Sequence, residues 1–205
     1  MYKPEKVWNR LAKRYAKSPV SNEAAYQEKL RITRTYFTPE SEVLEFGCGT
    51  GSTSVAHAPF VKHIHAIDVS SKMLEFAQDK SDAANITNLT LTCSTIEDFA
   101  AREGKYDVIM GHSILHLLDD KEAVISTVYD MLKPGGVFVS STVCMGAGKP
   151  VLRAALAIGK KLGVIPLVRF FTAEDLALSL TDAGFTIDQQ WKPEGGEAVF
   201  IVAKK

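Results

Sequence analysis

The sequence predicts an α/β fold: a three-layer sandwich with helices on both faces of a seven-stranded, mostly parallel sheet whose last strand is antiparallel. Three observations carry that prediction. Seven short apolar runs, starting near Val43, His63, Leu89, Tyr106, Val137, Phe185 and Ala198, are separated mainly by segments of helical period, the alternation that builds parallel sheets. A glycine-rich turn, Gly47-Cys48-Gly49-Thr50-Gly51, joins the first run to a helix. The last two runs are divided only by a short turn around Pro193 to Gly196, which calls for a terminal hairpin.

Taken in order, residues 1–37 read as two polar helices broken near Ser18-Pro19, with Val7, Trp8, Leu11 and Tyr15 forming one apolar stripe. Thr38-Pro39 ends the second helix. Beyond the first strand, Ser52 to Ala58 continues as a helix whose exposed N-terminal amides favour negative charge. The second strand ends on Asp68, 21 residues after Gly47, and Ser70 or Ser71 can cap the helix through Met73-Leu74. His63 and His65 alternate with apolar residues and read as surface or hydrogen-bonded strand histidines. Leu89–Cys93 and Tyr106–His112 are the third and fourth strands, and Asp120 to Leu132 is an amphipathic helix. Lys133-Pro134-Gly135-Gly136 forces a turn before the fifth strand at Val137. Residues 145–171 break the alternation, with an apolar-basic helix from about Val151 to Leu162. A substrate lid, a dimer face and a membrane-surface helix all fit that composition. Thr172-Ala173-Glu174-Asp175 starts the last helix with a capping box.

At 205 residues the chain fits one domain, 1–205, with 1–37 as an N-terminal helical segment and 145–171 as an insertion. Formal net charge is zero, which argues against a nucleic-acid partner held by bulk electrostatics. The basic residues Lys3, Lys6, Arg10, Lys13, Arg14 and Lys17 read as a solvated helix face. Cys48, Cys93 and Cys144 lack metal-ligand spacing and read as small buried thiols of a reducing compartment. No signal-peptide region and no spanning segment is visible, so a cytoplasmic protein is expected.

The chemistry concentrates at the glycine turn. Glycines at alternate positions let the backbone come close to a ligand, and Glu45 sets a carboxylate beside it that can pair with a cation. A dinucleotide fingerprint needs a third glycine where Ser52 stands, which argues against a nicotinamide dehydrogenase. Asp68 lies at the separation that brings an acid to a ribose, able to accept from both hydroxyls. His112 closes the fourth strand at its carboxyl end, and His116 follows one helical turn later; either imidazole can act as a base. No nucleophile, His and Asp cluster supports covalent catalysis.

Glu45-Phe46-Gly47-Cys48-Gly49-Thr50-Gly51 resembles the E/D-x-G-x-G-x-G first motif of class I S-adenosylmethionine-dependent methyltransferases, which have a Rossmann-like sheet. Tyr106-Asp107 resembles the family's aromatic-Asp start of the fourth strand, and Leu132–Phe138 its L-K-P-G-G-x-hydrophobic run. Together with Asp68 the likeness covers residues 40–142. It implies S-adenosylmethionine as cofactor, S-adenosylhomocysteine as product and no metal. It implies a small-molecule acceptor methylated on O, N or C, as in quinone biosynthesis, with homodimerisation possible. It also implies that 1–37 is a helical cover over the cofactor and 145–171 a lid over the substrate. The implied cofactor contacts are Tyr15, Glu45, Gly47, Cys48, Gly49, Gly51, Asp68, Val69, Met73 and His112, with Thr95 and Ile96 at the adenine. Relatives often carry an Asp at the position of Thr95. That departure keeps open a second class of function, a catalytically inactive scaffold that binds S-adenosylmethionine or S-adenosylhomocysteine.

Overall fold

The computed structural model describes residues 2–100, 105–146, 150–161, 164–194, 196 and 198–205. Helices α1 (Pro4–Lys17) and α2 (Glu23–Arg34) precede strand β1 (Glu42–Phe46). The chain continues through α3 (Ser52–His57), β2 (His63–Asp68), α4 (Ser71–Ala83), β3 (Leu89–Cys93), α5 (Ile96–Ala100), β4 (Tyr106–His112), α6 (Lys121–Met131) and β5 (Leu132–Val143). Then come α7 (Pro150–Lys161), α8 (Ala173–Asp182), β6 (Thr186–Trp191) and β7 (Ala198–Lys204). The strands form one seven-stranded sheet in the order β3-β2-β1-β4-β5-β7-β6. β7 runs antiparallel to both neighbours, and the other strand pairs are parallel. The expected fold class and terminal hairpin are therefore both present.

Two apolar layers hold the sheet. On one face Leu44, Phe46, Ile109 and Phe138 pack with Val124, Ile125 and Val128 of α6 and with Leu176 and Leu180 of α8. On the other, Val43, Ile64, Met110, Val139, Phe200 and Val202 pack with Ile32 of α2 and Leu74 of α4. Each such side chain contributes about 1.5–3 kcal/mol on full burial. The period-two alternation of a strand decides which residues meet which face. On β1 it sends Leu44 and Phe46 to the first layer, and Val43 with Glu45 to the second.

Several helix starts follow the sequence signals. Ser70 caps α4 by accepting from the Met73 amide, Asp120 caps α6, and Thr172 with Asp175 completes a capping box on α8. His63 and His65 are hydrogen-bonded strand histidines, with Nε2 atoms 2.9 and 2.8 Å from the hydroxyls of Thr90 and Thr92.

Two expectations are corrected. The Lys133–Gly136 run does not precede β5 but belongs to it, because Leu132 already pairs with Tyr106 and Gly135 bends the strand at φ +75°. Lys133 Nζ donates to Asp107 Oδ2 at 2.8 Å and fastens that start. Second, the cysteines are not all buried: Cys48 is, Cys144 is half-buried, and Cys93 is exposed because β3 is the sheet edge. The expected apolar-basic helix is present as α7, starting one residue before Val151; its expected end at Leu162 lies outside the described residues, as do Gly148 and Gly163. Among the described residues no helix is long and apolar enough to cross a membrane.

Candidate active site

The parallel strands β1, β2 and β4 end on one edge of the sheet, and the chain reverses direction of travel between β1 and β4. A crevice at the carboxyl ends beside such a reversal is where open α/β sheets bind ligands. Here it is a cavity of about 670 Å³. Its floor is Phe46, Gly47 and Gly49 after β1, Asp68 and Val69 after β2, Thr95 and Ile96 after β3, and His112 and Ser113 after β4.

The turn after β1 is held open by conformation and by hydrogen bonds. Gly47 has φ +63°, and a Cβ there would meet the Ile114 side chain at 2.8 Å. Gly51 has φ +72°, and its Cβ would strike the Ala77 Cβ at 2.7 Å. Neither position accepts an L side chain without strain. Asp68 ties the turn to β2: Oδ2 accepts from the Gly49 amide at 2.9 Å and Oδ1 from the Ser70 amide at 2.8 Å. From outside, Lys80 Nζ donates to the hydroxyls of Thr50 (2.8 Å) and Ser52 (2.7 Å). Tyr15 of α1 lies over Gly49, its ring 3.7 Å from where a Cβ would stand.

Two carboxyl groups dominate the local field. Glu45 is buried and accepts from the Ser54 hydroxyl of α3. Burial raises its pKa to about 7, opposed by the hydrogen bonds from Ser54 and reinforced by repulsion from Asp68. Burial also raises Asp68, while the Ser70 and Gly49 amides pull it back. Among the described lining residues there is no Lys or Arg. A cationic group entering beside this turn therefore meets uncompensated negative charge.

Both histidines line the cavity and are neutral at pH 7. Burial first, then the Lys29 ammonium, brings His112 down to about 4. Lys29 donates to the hydroxyl of Ser141, which sits opposite His112 in the β4–β5 register. Burial alone brings His116 to about 4. His112 Nε2 and His116 Nδ1 are sealed from solvent without hydrogen-bond partners.

Of the residues singled out in the sequence, Tyr15, Gly47, Gly49, Asp68, Val69, Met73, Thr95, Ile96, His112 and His116 line this one cavity. Glu45, Cys48 and Gly51 lie behind the turn and do not. Thr95 Oγ1 accepts from the Asp98 amide at 3.1 Å, capping α5. Sequence reasoning missed Ser113, whose φ of 55° makes it one of two non-glycine residues in the left-handed region among the described residues; no local signal marks it. It also missed Tyr2, Pro4, Leu117, Leu118, Asp119, Val143, Leu167 and Val168 on the far wall. Trp8, read as packing, lines the cavity and meets Tyr15 edge-on at 6.4 Å.

Residues 43–136 match the family described as a methyltransferase domain. Over that span, a little under half of its length, the chain is similar to the class I S-adenosylmethionine-dependent methyltransferases. It is 31% identical over 180 residues to a malonyl-acyl-carrier-protein O-methyltransferase of Priestia megaterium, covering 84% of this chain and 64% of that protein. It is 30% identical over 152 residues to a ubiquinone biosynthesis O-methyltransferase of Psychrobacter arcticus, covering 71% and 59%. The chain spans less than two thirds of the length of these curated relatives. In fold it is similar to the N-methyltransferase NodS of Bradyrhizobium japonicum, solved with S-adenosyl-L-homocysteine. That likeness has a TM-score of 0.72 at 18% identity and covers 97% of this chain and 98% of NodS.

Proposed function

We propose that this chain transfers a methyl group from S-adenosylmethionine to a small-molecule acceptor, leaving S-adenosylhomocysteine. The observation that carries the reading is the cavity built on Gly47, Gly49 and Asp68 at the reversal point of the sheet. When bound, the cofactor supplies a methyl group already activated on a sulfonium. The protein's own work is then binding, alignment and the exclusion of water.

Each carboxylate oxygen of Asp68 spends one lone pair on a backbone amide and keeps another for a ribose hydroxyl. Gly47 and Gly49 offer bare backbone to the methionine end, with Tyr15 above it. Val69, Met73 and Ile96 supply apolar walls for the adenine, beside Thr95. Glu45 acts through its field, since it lies behind the turn; Cys48 and Gly51 shape the turn without touching a ligand. His112 Nδ1 or His116 Nε2 takes the proton that the acceptor gives up, and a neutral imidazole is the form that can accept it.

The helical segment 1–37 and the segment 145–171 are read as covers over the two ends of the cavity. Support comes from Tyr2, Trp8, Leu167 and Val168 in its wall. A small acceptor suits the zero net charge better than a polyanion does, and the free thiols Cys93 and Cys144 suit a reducing cytoplasm. The experiment is to supply methyl-labelled S-adenosylmethionine with a pool of small metabolites. Label moving to an acceptor, with S-adenosylhomocysteine raising the melting temperature, is the expected result. A nicotinamide dinucleotide raising it instead would contradict the reading.

A further inference from the structure

We infer that the acceptor is not an anion but a molecule with an apolar body and one hydroxyl or amino group, and that Asp119 enforces this by engaging the two basic side chains beside the cavity. The inference rests on the methyl-transfer reading and adds the substrate class and a specificity residue.

The far wall of the cavity is one connected unit. The Leu167 amide donates to the Tyr2 hydroxyl at 2.9 Å, which joins the segment after α7 to the start of α1. The Arg169 amide donates to the His116 carbonyl at 2.7 Å, which joins the same segment to the turn after β4. Between these fastenings the wall is Leu117, Leu118, Val143, Pro166, Leu167 and Val168, without a polar side chain. Such a surface favours an apolar body, and an unpaired anion held against it would lose its hydration with nothing in return.

Two cations stand close by, and both are occupied. Arg169 Nη2 donates to Asp119 Oδ1 at 3.0 Å and to the Asp119 carbonyl at 2.9 Å. Lys160 Nζ lies 3.3 Å from the same Oδ1 and 5.2 Å from the Tyr2 ring centroid. Asp119 itself lines the cavity, whereas neither partner does. An anionic acceptor would have to displace Asp119 from both cations while facing the carboxylates of Asp68 and Glu97, which line the same space. A neutral hydroxyl or amine meets no such opposition. Its nitrogen or oxygen can sit against the neutral His112 and His116 rings.

The test measures binding to the full chain saturated with S-adenosylhomocysteine, using a para-alkylphenol and the para-alkylbenzoate of the same length. In the wild type the phenol is expected to bind at least about tenfold more tightly. Asp119→Ala should shrink that gap to roughly threefold or less through tighter benzoate binding, because Lys160 and Arg169 are released. Asp119→Asn, which keeps the side-chain shape, should do the same. Benzoate binding as tightly as phenol in the wild type overturns the inference. So does an unchanged gap in both variants, or neither compound binding. If S-adenosylhomocysteine itself fails to bind, the methyl-transfer reading falls first; if it binds and the gap is missing, only this inference falls.

Discussion

Gly47 sits where a strand has to turn out of the sheet, and its positive φ together with the nearby Ile114 leaves no room for a methyl group. Gly47→Ala is therefore expected to cost about 1–3 kcal/mol of stability, read as a lower melting temperature, and to weaken S-adenosylhomocysteine binding with it. A variant with wild-type melting and affinity would show that the turn is not held as tightly as the geometry requires. Gly47, Gly49 and Asp68 were legible in the sequence because their relation is local: a turn, and one βαβ unit's separation. Glu45 was legible as a residue but not as a position. Alternation along β1 turns it towards Ser54 of α3 and away from the cavity, and only the two apolar layers reveal which face is which. Ser113 carried no signal at all, since its strained φ is imposed by the exit from β4 and by its amide donating to the Ser141 carbonyl.

At the scale of elements, the apolar stripe of α1 was readable while its docking partner was not. α1 packs on α4, and Asn9 fastens it there. Asn9 Oδ1 accepts from the Ser70 hydroxyl at 2.7 Å and the Lys72 amide at 3.1 Å, at the α4 N-terminus immediately after Asp68. These bonds hold α1, and hence Trp8 and Tyr15, over the cavity. Asn9→Ala should lose about 1–2 kcal/mol of stability and weaken S-adenosylhomocysteine binding several-fold. Calorimetry giving unchanged affinity alongside the lowered stability would separate α1 docking from ligand binding. The start of β5 shows the reverse case. Its Pro and Gly read as a loop, yet pairing of Leu132 with Tyr106 draws the run into the sheet, a tertiary contact that overrides local turn chemistry.

Over the whole molecule, buried ionisable groups set the response to pH. His57 is fully buried with both ring nitrogens unpartnered, and burial, His112 and Arg34 bring it down to about 3. With His112 and His116 at about 4, three histidines stay neutral in the fold while the unfolded chain protonates near 6.5. Their folded values are depressed, so the stability they confer is present above about pH 6.5 and is lost as pH falls towards 4. Glu45 opposes this: its folded value of about 7 lies above that of the unfolded chain, so it favours the fold at low pH and disfavours it as pH rises to 7. Three histidines against one carboxyl leave a net difference of two protons between about pH 4.5 and 6.5. That corresponds to at most ~3 kcal/mol of stability lost per pH unit. Denaturant midpoints measured from pH 7 to 4.5 should fall accordingly; a flat or rising profile would contradict the burial of these rings.

The central claim is that the glycine turn and Asp68 together bind the nucleoside of the cofactor. Titrating S-adenosylhomocysteine into the wild type and Asp68→Ala by isothermal calorimetry tests it most directly. The account predicts saturable binding to the wild type and at least about tenfold weaker binding to the variant, as expected when two charge-assisted hydrogen bonds are removed. Equal affinities, or no binding to the wild type, would contradict it.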